Sequence, residues 1–195
     1  MMMTWQEILI VIILVLIFVE LVVLLVPLIN KIFDKINKAK RESNVLSSSS
    51  KIRLINQLRE AIEYLSQKKI GAIITIENND NLDNLRTDGV KIDANISSSL
   101  IISIFNKNSP LHDGAIIIRS GKIVYASTYY KISKKSIDNK YGSRHRAGLG
   151  ISEVSDATTI VVSEETGDVS ITKNSMIIPI KMSEFQEKLI FFLKD

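Results

Sequence analysis

Residues 109–119 read Ser-Pro-Leu-His-Asp-Gly-Ala-Ile-Ile-Ile-Arg, and this stretch decides how the rest of the chain is understood. A proline-marked turn brings His112 and Asp113 to the mouth of an apolar strand, and the glycine that follows removes a side chain where another group comes close. A second stretch, residues 141–148, reads Tyr-Gly-Ser-Arg-His-Arg-Ala-Gly and holds the other histidine of the chain, His145, between two arginines. We interpret the first stretch as a site for a metal ion and a sugar hydroxyl, and the second as a site for phosphates.

Length and composition limit the number of domains and the kinds of site that the chain can form. A chain of 195 residues allows one ordinary domain and an appendage. The chain contains no cysteine, which excludes disulfides, thiolate chemistry and zinc–sulfur sites. The formal net charge of +4 is mild and lacks the strong basic excess of a nucleic-acid binder, so we expect no nucleic-acid partner.

An apolar segment near the N-terminus predicts a membrane span. Residues 8–29 are almost unbroken Ile, Leu and Val, long enough to cross a bilayer as a helix, and Trp5 lies where an interfacial aromatic residue is expected. A secretory signal peptide is the alternative, but residues 1–7 have no Lys or Arg and no small-residue cleavage site follows. We therefore expect an anchor. Glu20 lies within the span, where a carboxyl group is costly. Protonation, extension of the side chain toward the interface and pairing with a partner helix are the alternatives, and we favour pairing.

The charges after the span predict its orientation. Positively charged residues mark the cytoplasmic side, so the C-terminal domain is expected in the cytoplasm of a bacterial cell, on a single-pass protein of the cell membrane. The expected organisation is an anchor over 1–30, a basic juxtamembrane segment with a Ser-rich linker over 31–50, and a domain over 51–195. The basic residues are Lys31, Lys35, Lys38, Lys40 and Arg41.

The rest of the chain alternates helical and strand patterns. Apolar residues at helical spacing predict a helix over 51–69, and the run at 72–77 predicts a buried strand. Residues 78–93 are interpreted as a polar loop. This alternation predicts an α/β fold with a mixed central sheet flanked by helices. The other expected elements are a helix over 97–106 capped by Ser97, a hairpin of 115–119 and 122–129, a helix from Ser143 to about Asp156, strands at 158–163, 169–173 and 176–181, and a terminal helix capped by Ser183.

The segment Gly142-Ser-Arg-His-Arg146 suits an anion. Free N–H groups at a helix start and the helix dipole favour negative charge, and Arg144 and Arg146 can grip phosphate oxygens in bidentate fashion. The two arginine side chains need not point the same way, so one can bind phosphate while the other braces the loop. An exposed basic helix start is the plain alternative for this segment taken alone.

The two acidic positions are each ambiguous alone. Asp113 can ligate Mg²⁺ or Mn²⁺ and help deprotonate a hydroxyl, yet His-Asp-Gly also marks ordinary turns into strands. Glu164-Glu165 follows a predicted strand and can complete a metal site or form a solvated turn before Gly167. The spacing alone does not choose between these.

Taken together, the three clusters resemble a known family. Asp113-Gly-Ala, Arg144-His-Arg and Ser163-Glu-Glu-Thr, in this order, resemble the diadenylate cyclase family (DAC, DisA_N). The resemblance extends from about Gly71 to Lys173. A single span before this domain resembles the one-helix membrane members.

The resemblance implies an enzyme, an ATP-dependent and divalent-metal-dependent nucleotidyltransferase that condenses two ATP into cyclic di-AMP with release of two pyrophosphates. It implies the DAC domain fold and a homodimer in which two domains face each other, each with one nucleotide. The implied catalytic residues are Asp113, Arg144 and Arg146, and the implied metal residues are His112, Asp113 and Glu165, with the choice between Glu164 and Glu165 left open. The implied nucleotide-binding residues are Gly114, Ala115, Tyr129, Tyr130, Gly142, Ser143, Arg144, His145, Arg146, Ser163 and Glu164.

The sequence departs from the family pattern at two positions, and three other functions are considered. Ser143 replaces the usual threonine but keeps the hydroxyl, and Gly148 replaces the usual alanine. The first rival is a silent membrane sensor of the same fold that binds ATP or cyclic di-AMP, which would not need the Asp113 carboxylate. A metal-dependent phosphodiesterase is disfavoured because the chain has only 2 histidines. A membrane-tethered adaptor would leave the polar clusters unexplained.

Overall fold

The computed structural model describes residues 5–6, 13–23, 25–27, 29–31 and 48–193, and the chain divides into two compact units at Ser43/Asn44. In the first unit, helix α1 (Ile13–Lys31) is long and apolar enough to cross a membrane, by length and composition alone. Its described apolar side chains are exposed. Predictions that fall on residues 8–12 and 32–47, including most of the basic juxtamembrane segment, lie outside the described residues.

The second unit is a sheet covered by helices on both faces. Its elements in chain order are α2 (Ser48–Gln67), β1 (Ala72–Ile76), β2 (Arg86–Thr87), β3 (Val90–Asn95), α3 (Ser98–Phe105), β4 (Ala115–Arg119), β5 (Lys122–Tyr130), α4 (Ser143–Val154), β6 (Thr158–Val162), β7 (Val169–Lys173), β8 (Met176–Ile180), a 3₁₀ turn (Met182–Glu184) and α5 (Phe185–Phe192).

The sheet is mixed, as the sequence predicts. Its order is β2-β5-β4-β1-β6-β7-β8, and β3 also pairs with β5. Strand β1 runs parallel to β4 and antiparallel to β6, and the remaining pairs are antiparallel. The start of β4 and the end of β6 therefore flank the start of β1 at one edge, where the acidic clusters meet.

Alternation along the strands builds two cores. In β1, Ile74 packs with the larger cluster, which includes residues of α2, α3 and α5, while Ile73 packs with the smaller cluster, which includes Ile151 of α4. Both faces of β1 are buried, which explains why it is an apolar run without polar alternation. Among the described helices of this unit, α4 is the one that packs on the smaller core, and its first turn lies at the edge described above.

Two expectations about elements are wrong. Residues 78–93 contain β2 and the start of β3, which pair with β5; these strands are short and polar, so backbone pairing decides them and the apolar pattern does not show them. Ser183 lies within the 3₁₀ turn, and α5 begins after Glu184 without a side-chain cap. Phe185, fully buried at the first position of α5, fixes that start by packing.

Candidate active site

One cavity of about 340 Å³ gathers side chains from stretches far apart in sequence. It opens where the start of β4, the end of β5, the first turn of α4 and the end of β6 meet. Its lining residues are Ile73, Asp113, Gly114, Ala115, Thr128, Tyr129, Tyr130, Ile132, Ser143, Arg144, Ala147 and Glu164. Eight of the residues predicted from sequence are in this set: Asp113, Gly114, Ala115, Tyr129, Tyr130, Ser143, Arg144 and Glu164.

The Asp113-Gly114 turn depends on the absence of a side chain at position 114. Gly114 has φ +90°, and a Cβ there would lie 2.8 Å from the carbonyl oxygen of Thr128. The opposing strand is bulged at this point, with Ser127 at φ 53°. Asp113 is exposed, and its Oδ1 accepts a hydrogen bond of 3.1 Å from the Gly114 amide. The turn therefore presents a carboxylate at the cavity mouth while the backbones of β4 and β5 stay in contact.

The two tyrosines differ in what they offer. Tyr130 is buried, and this burial raises the pKa of its hydroxyl, which stays protonated. Tyr129 is 42% exposed and lines the same cavity. Of the two rings, Tyr129 is the more exposed, and an exposed aromatic ring is suited to stacking with a planar base.

The first turn of α4 has no side-chain cap. Its N-cap residue is Gly142, and the first helical hydrogen bond runs from the Arg146 amide to the Gly142 carbonyl. The amides at the start of a helix lack intrahelical partners and carry the positive end of the dipole. Ser143 and Arg144 add a hydroxyl and a guanidinium on the cavity side, so the turn is suited to an anion.

Arg144 is already paired. Its Nη1 donates to Oε2 of Glu164 at 2.8 Å, and the side chains are 21% and 55% exposed, respectively. The guanidinium packs directly on Gly71, where an added Cβ would lie 2.7 Å from Nη1 and 2.8 Å from Cζ. A glycine before β1 is therefore required for Arg144 to reach its place in the cavity.

His145 and Ser163 line a second cavity of about 500 Å³, on the other side of the α4 start, together with Asp168, Ser170 and other residues. His145 is buried, its ring lies 5.0 Å from that of Tyr141, and burial lowers its pKa although the charge of Asp168 opposes this. The imidazole is therefore mainly neutral at pH 7. The neighbours Arg144 and His145 consequently face different cavities, as do Glu164 and Ser163.

Each of the remaining predicted residues is adjacent in sequence to a residue that lines the first cavity, but does not line it itself. The carbonyl of Ser109 accepts a hydrogen bond from Nδ1 of His112 at 2.7 Å, which fixes the proton on Nδ1 and leaves Nε2 as a ligand atom. The Arg146 carbonyl accepts from the Ser133 amide, so its backbone braces the loop after β5. Glu165 is exposed, and its amide donates to Ser163. Gly142 is exposed at the helix start.

The donor set fits a magnesium or manganese ion that arrives with phosphates. Asp113 and Glu164 bring two carboxylates to one cavity, and the described part of the chain contains no cluster of three or more His, Asp or Glu side chains that would cage a metal alone. Mg²⁺ is commonly held by one or two carboxylates together with substrate phosphates and waters. Asp113 and Glu164 would hold the ion, and the Nε2 of His112 is the nearest additional candidate in sequence.

Sequence reasoning missed part of this site. Gly71 carries no side chain, and this absence leaves room for the Arg144 guanidinium, a role that no sequence motif indicates. Ile73 and Ala147 form apolar walls of the cavity, and their residue types do not indicate a binding site. In sequence Thr128 resembles any buried strand residue, and only the bulge in β5 puts it next to Gly114. Only the pairing of β4 with β5 and the packing of α4 on the sheet bring these residues together.

Comparison with known proteins identifies the family. The family model described as "DisA bacterial checkpoint controller nucleotide-binding" (DAC) matches residues 59–177. The chain belongs to the diadenylate cyclase family. It is 41% identical over 146 residues to the diadenylate cyclase of Mycoplasma genitalium, covering 73% of each chain. It is 44% identical over 123 residues to the cyclic di-AMP synthase CdaA of Bacillus subtilis, covering 63% of this chain but only 45% of that relative.

A solved structure shows the same fold. The crystal structure of a double mutant of DacA from Staphylococcus aureus superposes with a TM-score of 0.72 at 41% identity, over 76% of this chain and 100% of that one. The mixed sheet flanked by helices is thus the DAC domain fold, as predicted. All three acidic and basic clusters that suggested the family fall inside residues 59–177.

Proposed function

We propose that this chain is a membrane-anchored diadenylate cyclase, which condenses two ATP into cyclic di-AMP and two pyrophosphates. The observation that carries the proposal is the cavity in which Asp113, Arg144 and Glu164, from three separate stretches, lie together with Tyr129. The names of the relatives, diadenylate cyclase and cyclic di-AMP synthase, support the same reaction.

The nucleotide is held by groups of different character around this cavity. Tyr129 stacks on adenine, and Gly114 and Ala115 leave room for the sugar against the start of β4. Ser143, Arg144 and the free amides of the α4 start hold the phosphates, because that end of the helix is positive. His145, neutral and facing the second cavity, contributes through its backbone amide rather than through charge.

The reaction is a phosphoryl transfer that depends on placement. The 3′-oxygen of one ATP attacks the α-phosphorus of the other, a new P–O bond forms, and the bond from that phosphorus to the oxygen bridging the β-phosphate breaks with release of pyrophosphate. The 3′-oxygen of the second nucleotide then attacks the α-phosphorus of the first in the same way, which closes the ring and releases the second pyrophosphate. Asp113 accepts the hydrogen bond of the 3′-hydroxyl and orients it in line with the α-phosphorus. Bound Mg²⁺ or Mn²⁺ would neutralise phosphate charge and lower the pKa of that hydroxyl.

Two copies are required for this geometry. One site that holds one ATP cannot align its own 3′-hydroxyl with a second α-phosphate, so we propose a two-fold homodimer with facing cavities. The membrane anchor raises the local concentration of such partners. Specific activity that stays constant down to high dilution would contradict the dimer.

The anchor is assigned to α1. Its length, composition and exposed apolar side chains support a single span, and the charges that follow favour a cytoplasmic catalytic domain. A signal sequence would pass the same test of length and composition, and detection of a cleaved N-terminus in cells would contradict the anchor. Protection of the domain from protease in intact cells, with cleavage in inverted vesicles, is the expected topology result.

The decisive experiment is incubation of the full-length chain in lipid nanodiscs with ATP and Mg²⁺ or Mn²⁺, followed by chromatography of the products. We expect cyclic di-AMP with two pyrophosphates for each product molecule. Asp113→Asn is the matched variant: it keeps the shape of the side chain, so ATP binding is expected to persist while turnover falls by about a thousandfold or more. Bound but unconverted ATP in the unmodified chain would favour the sensor, and near-normal activity of Asp113→Asn would remove Asp113 from the mechanism.

A further inference from the structure

The loop that follows β5 is attached to α4 through Ser133. This residue is buried, with 6% of its surface exposed. Its amide donates to the carbonyl oxygen of Arg146 at 3.0 Å, and its hydroxyl donates to Oε1 of Glu153 at 2.6 Å. Arg146 lies in the first turn of α4 and Glu153 lies in the last. One loop residue therefore contacts both ends of the helix.

The two segments that Ser133 joins line two sides of the nucleotide cavity. Tyr129 and Ile132 lie on the chain just before Ser133, and in the proposed function they form the adenine side. Ser143 and Arg144 lie in the first turn of α4 and form the phosphate side. The inference drawn from this arrangement rests on the proposed function, since it assumes that adenine and phosphates bind at these two sides.

We propose that Glu153 is a positioning residue, which acts through Ser133 to fix the distance between the adenine side and the phosphate side of the cavity. ATP can use both sides at once only when this distance matches its own length, and a loop that had to be ordered on binding would reduce the affinity. Glu153 does not line the nucleotide cavity. It lines a neighbouring cavity of about 530 Å³ that shares Tyr129 and Ile132 with it.

The contact between Ser133 and Glu153 is strong enough for this role. A hydrogen bond to an ionised carboxylate is short and roughly twice as strong as one between neutral groups. The Ser133 hydroxyl also accepts from the Lys135 amide at 3.1 Å, so it has a partner both as donor and as acceptor. Removal of the carboxylate would leave a buried donor without its acceptor, which favours a different position of the loop.

The surface of α4 allows the loop to lie directly on it. Gly150 lies between Arg146 and Glu153, and a Cβ at this position would overlap the carbonyl oxygen of Lys131. The Nζ atom of Lys135 is 3.5 Å from the same Oε1 of Glu153, but the Lys135 side chain is 54% exposed. This exposed ion pair contributes little, so the hydrogen bond from Ser133 is the contact that matters.

The test compares the binding of ATP with the binding of its two halves. The full-length chain in nanodiscs with Mn²⁺ is titrated with α,β-methylene ATP, which cannot release pyrophosphate at the usual bond, and separately with adenosine and with tripolyphosphate. For Glu153→Ala we expect the dissociation constant of the ATP analogue to rise about tenfold, because its two ends no longer meet matched sides. The constants for adenosine and tripolyphosphate should stay within about twofold of wild type, since each half uses one side only.

Matched variants separate the hydrogen bond from the charge. Glu153→Gln keeps an oxygen that accepts from Ser133 but loses the charge, so we expect the affinity for the analogue to stay within about twofold of wild type. Lys135→Ala removes the ion pair and is expected to leave the affinity unchanged. Ser133→Ala should weaken binding of the analogue as Glu153→Ala does, and the double variant should weaken it no further, because the two residues form one contact.

Wild-type affinity for the analogue in Glu153→Ala would overturn the proposal. An equal loss for the analogue and both halves would also overturn it, because that pattern indicates a general loss of structure. If Glu153→Ala does not fold, Glu153→Asp provides the same comparison, since it keeps the charge and withdraws the carboxylate from Ser133. Cyclic di-AMP formation by the wild-type chain, together with unchanged affinity in the variant, would defeat only this inference. Binding of the analogue by a wild-type chain that makes no product from ATP would defeat the proposed function.

Discussion

Two arginine–carboxylate clusters in the same domain have different geometry. Arg119 donates from Nε to Glu77 Oε1 at 2.6 Å, and from Nη2 to Glu77 Oε2 at 2.8 Å and to Asp83 at 2.9 Å. The Glu77 side chain is only 3% exposed. Arg144 has one contact of 2.8 Å with Glu164, which is 55% exposed. The same two chemical groups thus form a buried pair with several hydrogen bonds in one place, and a solvent-exposed pair with one hydrogen bond in the other.

Burial and the number of hydrogen bonds distinguish a pair that stabilises the fold from a pair that can exchange partners with a ligand. The hydrogen bonds that Arg119 donates to Glu77 raise the pKa of Arg119. Glu77 also accepts from the Leu82 amide, so the carboxylate joins β4 to the loop after β1. Exchange of that pair for a ligand would strand a buried charge, which is costly. Arg144 can exchange partners because solvent and a cavity already reach the pair. The arrangement predicts four outcomes.

The largest expected effect is on stability, from Glu77→Gln. Glu77→Gln removes the buried carboxylate and leaves Arg119 paired with the more exposed Asp83, so we expect a loss of about 3 kcal/mol in the free energy of unfolding. The matched substitution Glu164→Gln is expected to cost less than about 1 kcal/mol, because exposed pairs contribute little. Urea titration of the full chain followed by circular dichroism compares the two. Equal losses would mean that exposure does not separate the pairs.

The second effect is on nucleotide affinity, from Arg144→Ala. Loss of a charge-assisted hydrogen bond to phosphate is expected to weaken ATP binding by about 2 kcal/mol, or roughly 30-fold, with little change in stability. Arg146→Ala is the matched control, since Arg146 is outside the cavity lining and its backbone carbonyl makes its contact with Ser133. Binding isotherms in the presence of Mn²⁺ measure both. A larger loss in Arg146→Ala would transfer the phosphate role to that residue.

The third effect tests the slot beneath Arg144. In Gly71→Ala the new Cβ would meet Nη1 and Cζ of Arg144 and Cβ of Glu164, so Arg144 must shift. We expect ATP affinity to fall by about tenfold, since small misplacements of a binding group are costly. Gly148→Ala is the control, because its Cβ would instead meet Thr172 and Val161 under α4, at 3.0 and 3.2 Å. That variant is expected to change the melting temperature but not the dissociation constant for ATP.

The comparison also shows what sequence could and could not predict. The mixed α/β fold is predictable from the apolar runs of β1, β4 and β6 and from the helical spacing of α2. Strands buried on both faces consist mostly of apolar residues, so residue type alone indicates them. Chemical character alone leaves Asp113, Arg144 and the Glu164-Glu165 pair ambiguous, and it is the family resemblance that groups them; Asp113, Arg144 and Glu164 do share a cavity. The polar strands β2 and β3 were missed because only their backbone pairing with β5 makes them strands.

What sequence could not predict is which of two adjacent residues faces the cavity. Arg144 and His145 are neighbours, but successive residues on a helix point about 100° apart, and the packing of α4 on the sheet sets which one turns inward. Ser163 and Glu164 also face different cavities, and because they lie in the turn after β6 the geometry of that turn sets which side chain faces which cavity. The ion pair between Arg144 and Glu164 joins residues from α4 and from the turn after β6, so it depends on tertiary contact alone.

A fourth and smaller effect concerns His145, the titratable residue next to Arg144 whose burial favours the neutral imidazole. Burial lowers its pKa, so the folded chain resists a proton that the unfolded chain accepts near the ordinary histidine value of about 6.5. Stability contributed by the neutral form is therefore present above that value and is lost as the pH falls through it. The melting temperature should drop between pH 7.5 and 5.5, and His145→Gln should reduce that drop. If the pH dependence of the melting temperature is unchanged in His145→Gln, the His145 imidazole takes up a proton as readily in the folded chain as in the unfolded chain, which would contradict the prediction.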